Sequence, residues 1–234
     1  MNNNLITLSK KVDNQKLKEI QKLLNEKQNP NIQNKTFYTP LMYACMNNDI
    51  KLVKLLLKYK ADPNIKNNNG GTSLMIACRK GNIKIIKLLL KSYKNINDQD
   101  NGLCTPLYHA ITSTSVDVIN VDIIKLLLKS GADPNIKYLD DNTILMSVLF
   151  ADANSADIIK LLLKYGAEIN AKNKSGNTAL MMSVISNNVN TTKVLLKNGA
   201  DPNISNNKGE TPLFKALSYK NEKIQKILLK YGAK

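Results

Sequence analysis

Apolar and polar positions alternate along this chain with two helical patterns in succession. Between Ile83 and Ser92, the residues Ile83, Ile86, Leu89 and Leu90 share one helical face, while Lys84, Lys87 and Lys91 occupy the other, the pattern of a helix with one buried stripe. Just upstream, Leu74, Ala77 and Cys78 recur at helical spacing between Thr72 and Gly81, which predicts a shorter helix with Thr72 as N-cap. Asn69-Gly70-Gly71 before it signals a turn that uses positive φ. The unit therefore reads turn, helix, loop, helix, and neither helix can cover its apolar face without a neighbour.

Neighbours of the same kind are present throughout. A leucine marks the phase at Leu41, Leu74, Leu107, Leu145, Leu180 and Leu213, and an asparagine keeps the same count at Asn31, Asn64, Asn97, Asn135, Asn170 and Asn203. The spacings are 33, 33, 38, 35 and 33 residues for both markers, the period of a stacked-helix array. Stacking such units builds continuous apolar ladders, as in Val53, Ile86, Ile124 and Ile159, or Leu56, Leu89, Leu127, Leu162, Leu195 and Leu228.

These units resemble the ankyrin repeat, written around Gly-x-Thr-Pro-Leu-His-x-Ala and closed by Leu-Leu-x-x-Gly-Ala-Asp-x-Asn. Thr39-Pro40-Leu41, Thr105-Pro106-Leu107 and Thr211-Pro212-Leu213 match it intact, as do Gly131-Ala132-Asp133-Pro134-Asn135 and Gly199-Ala200-Asp201-Pro202-Asn203. The resemblance is to arrays such as those of AT-rich giant viruses, protists and intracellular bacteria. It implies an all-α ankyrin-repeat solenoid of about seven helix-turn-helix units with projecting β-turns, forming one domain over 1–234. The expected boundaries are a degenerate N-terminal repeat at 1–34, repeats at 35–67, 68–100, 101–137, 138–173 and 174–206, and a C-terminal capping repeat at 207–234. At the position of the family's histidine stand Met42, Met75, Tyr108, Met146, Met181 and Phe214, so apolar packing is expected to replace polar bonding there. Insertions of five and two residues should lengthen the segments within Ile111 to Val121 and Phe150 to Ala156. In the last unit Glu222 and Gln225 replace the Ile50 and Val53 positions, as suits an outer surface.

Composition narrows the function. With 43% hydrophobic residues the chain should fold. The longest apolar run, about Ile144 to Ala151, is too short to span a bilayer, and Met1 to Lys11 lacks a signal-peptide core. Three cysteines and one histidine offer no zinc spacing, and buried free thiols suit a reducing, cytoplasmic setting. No phosphate loop, metal-ligand cluster or nucleophile-histidine arrangement is present, so neither catalysis nor a cofactor is expected. His109 reads as a packed or half-exposed repeat residue, and carboxylates such as Asp100 as capping groups.

The formal charge of +16 comes almost wholly from lysine, since Arg79 is the only arginine, and Lys and Asn each occur 33 times. Lys54, Lys58, Lys87, Lys91, Lys125, Lys129, Lys160, Lys164, Lys193, Lys197, Lys226 and Lys230 fall at matching places on the second helices. Such a ridge could attract nucleic acid or an anionic membrane, but it lacks the arginine forks and interleaved aromatics of a nucleic-acid reader. A solvated helix face is the simpler reading.

What the resemblance implies is a non-enzymatic scaffold or adaptor, monomeric, that binds a protein partner through its concave face and turns. Carried onto this sequence, the contact positions are Tyr38, Met46, Asn69, Arg79, Lys80, Thr112, Leu139, Asp140, Asn142, Phe150, Asn177 and Ile185. Tyr38, Arg79 and Phe150 stand out because aromatic and arginine side chains dominate interface energetics; Tyr219 carries the same chemistry but reads more simply as ordinary exposed surface near the array end.

Overall fold

The computed structural model describes residues 4–113, 121–148 and 155–234. Every α-helix among them belongs to the sequence α1 (Asn4–Ser9), α2 (Asn14–Asn25), α3 (Pro40–Met46), α4 (Ile50–Lys58), α5 (Ser73–Lys80), α6 (Ile83–Leu89), α7 (Pro106–Ile111), α8 (Val121–Lys129), α9 (Ile144–Ser147), α10 (Ser155–Lys164), α11 (Ala179–Ile185), α12 (Val189–Lys197), α13 (Pro212–Ser218) and α14 (Glu222–Lys230). The chain divides into two compact units, Met1–Ile123 and Ile124–Lys234. In the first, α1, α3, α5 and α7 pack in succession and α4 packs on α6; in the second, α9, α11 and α13 form one row and α10, α12 and α14 another.

Local chemistry sets the short first helices. Thr39, Thr72, Thr105, Thr178 and Thr211 each accept, through Oγ1, the amide three residues on, at 3.2–3.3 Å. This satisfies one of the donors a helix start leaves free. Proline follows the cap at Pro40, Pro106 and Pro212, where its missing amide costs nothing. Thr143 is the exception among these caps: it makes no side-chain cap bond, and its buried hydroxyl has no partner among the described residues.

The asparagine that keeps the period has a physical task. Asn64 Oδ1 accepts the amide of Lys94 at 2.9 Å, Asn135 Oδ1 that of Glu168 at 2.9 Å, Asn170 Oδ1 that of Asp201 at 3.0 Å, and Asn203 Oδ1 that of Lys234 at 2.9 Å. Each side chain thus ties one repeat to the loop of the next, and a residue lacking both donor and acceptor could not do so.

Four expectations need correction. The second helix of the 68–100 segment stops at Leu89, not Ser92. In its slot Lys60, Gly131, Gly166, Gly199 and Gly232 take positive φ, whereas the bulky Tyr93 turns inward and donates its hydroxyl to Thr72 Oγ1 at 2.7 Å. On that helix Ile85 is fully buried beside Ile86 and Leu89, while Ile83 and Leu90 are half-buried. Apolar packing replaces the family's histidine at Met42, Met75, Met146 and Met181, all buried, but Phe214 is 52% exposed. In the last unit Glu222 is exposed and Gln225 donates Nε2–H to Ala216 O, yet Phe214 and Leu217 on α13 and Leu229 on α14 are open to solvent. The lengthened segments expected after α7 and α9 fall largely outside the described residues, Phe150 among them.

Among the described residues no helix is long and apolar enough to cross a membrane.

Candidate functional site

In the first compact unit each turn is organised by one side-chain oxygen. Asn34 Oδ1 accepts the amides of Thr36 and Tyr38 at 3.0 and 2.9 Å, Asn67 Oδ1 those of Asn69 and Gly71 at 3.0 and 2.9 Å, and Asp100 Oδ1 those of Gly102 and Cys104 at 2.9 Å each. Side chains of this kind mimic a backbone turn. The turns are joined tip to tip, because Asn68 N–H donates to Thr36 O at 3.3 Å and Asn101 N–H to Asn69 O at 3.0 Å. Gly70 is required between them: a Cβ there would lie 2.7 Å from Asn101 Oδ1 and 2.9 Å from Asn101 N, and its φ is +72°.

This scaffold brings three of the sequence candidates together. Tyr38, Asn69 and Arg79 line a depression of about 70 Å³ together with the buried Met75 and Ile76 and with Asp100 and His109. Arg79 and Asn69 are exposed, Tyr38 is half-buried, and the Tyr38 and Tyr43 rings lie 5.5 Å apart. A charged fork, a carboxamide and a ring over an apolar floor are suited to grip polypeptide.

Asp100 adds a polar element. Its second oxygen, Oδ2, lies 2.8 Å from His109 Nε2, and both side chains are only 16% exposed. Burial pushes the imidazole below the ordinary histidine range; the bond to Asp100 opposes this without cancelling it, and the nearby Arg79 charge acts with burial. The neutral ring donates Nε2–H to the carboxylate, which leaves Nδ1 as an acceptor. Cys104, half-buried beside the same turn, has its thiol pushed up to about 11 by burial, with the Asp100 charge adding to it. Cys45 and Cys78 are free, fully buried thiols pushed strongly upward by burial.

Stacked helix pairs of this length, each opened by a tied turn, are a recurrent architecture, and the comparison with known families decides which. The family model described as ankyrin repeats (3 copies) matches residues 8–100, 60–138, 120–206 and 145–234. The chain belongs to the ankyrin-repeat family. The ankyrin fold is shared with the ankyrin repeat domain of Bcl-3, a member of the IkappaB family, at 24% identity and a TM-score of 0.79, covering 97% of each chain. A chain in the complex of the predatory endopeptidase Bd0816 from Bdellovibrio bacteriovorus with immunity protein Bd3460 is 31% identical, with a TM-score of 0.70, covering 85% of this chain and 99% of that one. An ankyrin repeat domain from Acinetobacter baumannii is 30% identical, with a TM-score of 0.72, covering 83% and 98%. No curated protein sequence matches.

The other ankyrin positions expected to make contact are dispersed. Met46 and Lys80 are half-buried, and Thr112 Oγ1 donates back to Tyr108 O at 2.9 Å; none of the three lines the depression. In the second unit Leu139 is 59% exposed, and Asp140 and Asp141 take positive φ. Asn142 Oδ1 accepts from Asn173 Nδ2 at 2.8 Å and Asn177 Oδ1 from Asn206 Nδ2 at 3.2 Å, so both are spent partly on joining turns. Ile185 lines a separate groove of about 560 Å³ with Val184, Val189 and Tyr219.

Sequence reasoning passed over Phe37 and Leu103. They occupy the slot that holds Gly70, Gly176 and Gly209 in other turns, and both adopt φ of 60°. A bulky residue held there costs roughly 1–2 kcal/mol. The signal was available, since Phe and Leu stand where the turn calls for glycine or asparagine.

Proposed function

We propose that this chain is a non-enzymatic interaction scaffold of a reducing, cytoplasmic compartment. It acts as a monomer with the repeat boundaries given above and binds a protein partner through its turns and first helices, the concave face of the ankyrin architecture. The observation that carries the reading is the convergence of Tyr38, Asn69 and Arg79 on one depression whose backbone is fixed before any partner arrives. Preorganisation of this kind removes ordering cost from binding. The similarity to a chain in an endopeptidase–immunity protein complex supports a role in protein association. The test is affinity capture with wild type and with Tyr38→Ala/Arg79→Ala, after circular dichroism shows equal folding. Loss of the captured polypeptide from the variant supports the reading, and equal capture overturns it.

The lysines expected on the second helices support a second reading, because all twelve are exposed. Attraction of nucleic acid or anionic lipid to them would fall steeply with salt. Binding to random-sequence DNA that vanishes on raising salt would favour it, and indifference to DNA at physiological salt would exclude it.

A further inference from the structure

Nine non-glycine residues among those described have positive φ, and seven of them are Lys, Asn or Asp. The remaining two, Phe37 and Leu103, lie 66 residues apart on the first and third of the three tied turns, 52% and 46% exposed. Strained backbone costs folding stability and an exposed apolar side chain returns little of it by burial, yet here the two coincide twice at the same turn position.

Both turns share a support that the glycine-bearing turns lack. Gln33 Nε2 donates to Phe37 O at 2.8 Å, and Gln99 Nε2 donates to Leu103 O at 2.6 Å. The residue in the glutamine position is Lys66 before Gly70, Lys172 before Gly176 and Ser205 before Gly209. The apolar tip and the amide that clamps its carbonyl therefore occur as a pair, in two turns out of three.

We propose that Phe37 and Leu103 are the specificity-determining contacts of the first unit: two apolar prongs, held outward at fixed separation, that enter two apolar sockets on a protein partner. The proposal rests on the interaction reading above and names the surface that reading requires. With one repeat of about 10 Å between neighbouring turns, the sockets lie roughly 20 Å apart. Exposed Lys35 beside Phe37 and the net charge of +16 call for acidic groups around the sockets. A protein fits better than a lipid surface because the edge between the prongs is polar. Asn68, Asn69 and Asn101 are exposed there, and their carboxamides find hydrogen-bond partners on a protein but none in hydrocarbon.

The test introduces the photoreactive residue p-benzoylphenylalanine into the full chain in place of Phe37, of Leu103 or, as control, of exposed Lys51, and sequences the adducts. The expected result is one polypeptide cross-linked from both turn positions and not from the control. That polypeptide, purified, should bind Phe37→Gly/Leu103→Gly at least tenfold more weakly than wild type, while the variant's denaturation midpoint is unchanged or raised. A residue needed only for the turn would instead lower the midpoint when replaced. Equal affinity for this variant combined with weakened binding by Tyr38→Ala/Arg79→Ala overturns the prongs and leaves the interaction reading standing. Absence of a common adduct overturns the prongs as well. If vesicles of phosphatidylcholine and phosphatidylserine take up the wild type and not the double variant, the two residues are lipid anchors and the proposal is overturned.

Discussion

Met181 and Phe214 occupy the same place in successive repeats, one buried under the next first helix and the other left open, and replacing each by alanine should give opposite costs to those expected from size. Met181 is 1% exposed and α13 packs on its helix. Met181→Ala removes a buried side chain and leaves a cavity, a loss of about 3 kcal/mol. Phe214→Ala removes more carbon, but with 52% of the residue already in water the loss is about 1 kcal/mol, half or less of a fully buried ring. With an m-value of about 2 kcal/mol/M, urea midpoints should fall by about 1.5 M and 0.5 M respectively. Circular dichroism at 222 nm reads both, and unchanged slopes confirm that one transition is being compared. A Phe214→Ala shift equal to or larger than that of Met181→Ala would refute the idea that each repeat is buried by the one that follows.

Other consequences are equally direct. Because burial holds the His109 pKa below its unfolded value of 6.5, the unfolded chain binds more protons and stability is lost as pH falls from 6.5 through the lowered folded value. The urea midpoint should drop between pH 7.5 and 5.5, and His109→Gln should shrink that drop; an unchanged drop would refute it. Asn135→Ala removes bonds to the Glu168 amide and to Gly166 O, both 2.9 Å, and should cost about 1–2 kcal/mol by urea denaturation, whereas no loss would deny the asparagine its bridging task. Gly70→Ala should destabilise more than Gly209→Ala. Both need positive φ, but only at Gly70 would the added carbon strike the next turn, and equal thermal midpoints would contradict this.

Much of the fold was legible because its signals are local and repeated. The threonine caps and the period of Asn64 and Asn135 each state a hydrogen bond that the structure makes, and the proline at the first helical position stands where no amide is needed. The shortened α6 was hidden, since it depends on Tyr93 folding back to Thr72 across 21 residues. The candidate site was legible in part: Tyr38, Asn69 and Arg79 were found from family positions, but their convergence required the turn-to-turn bonds. His109 and Asp100 looked ordinary apart and acquire their meaning only at 2.8 Å. Phe37 and Leu103 are marked by the backbone conformation their slot demands, a φ of 60°, and not by residue type at the family's contact positions.

The most direct test of the account is calorimetric titration of the captured partner, once purified, into wild type and into Tyr38→Ala/Arg79→Ala at physiological salt. The account predicts at least tenfold weaker binding by the variant with an unchanged far-ultraviolet spectrum. The same Kd for both proteins would contradict it.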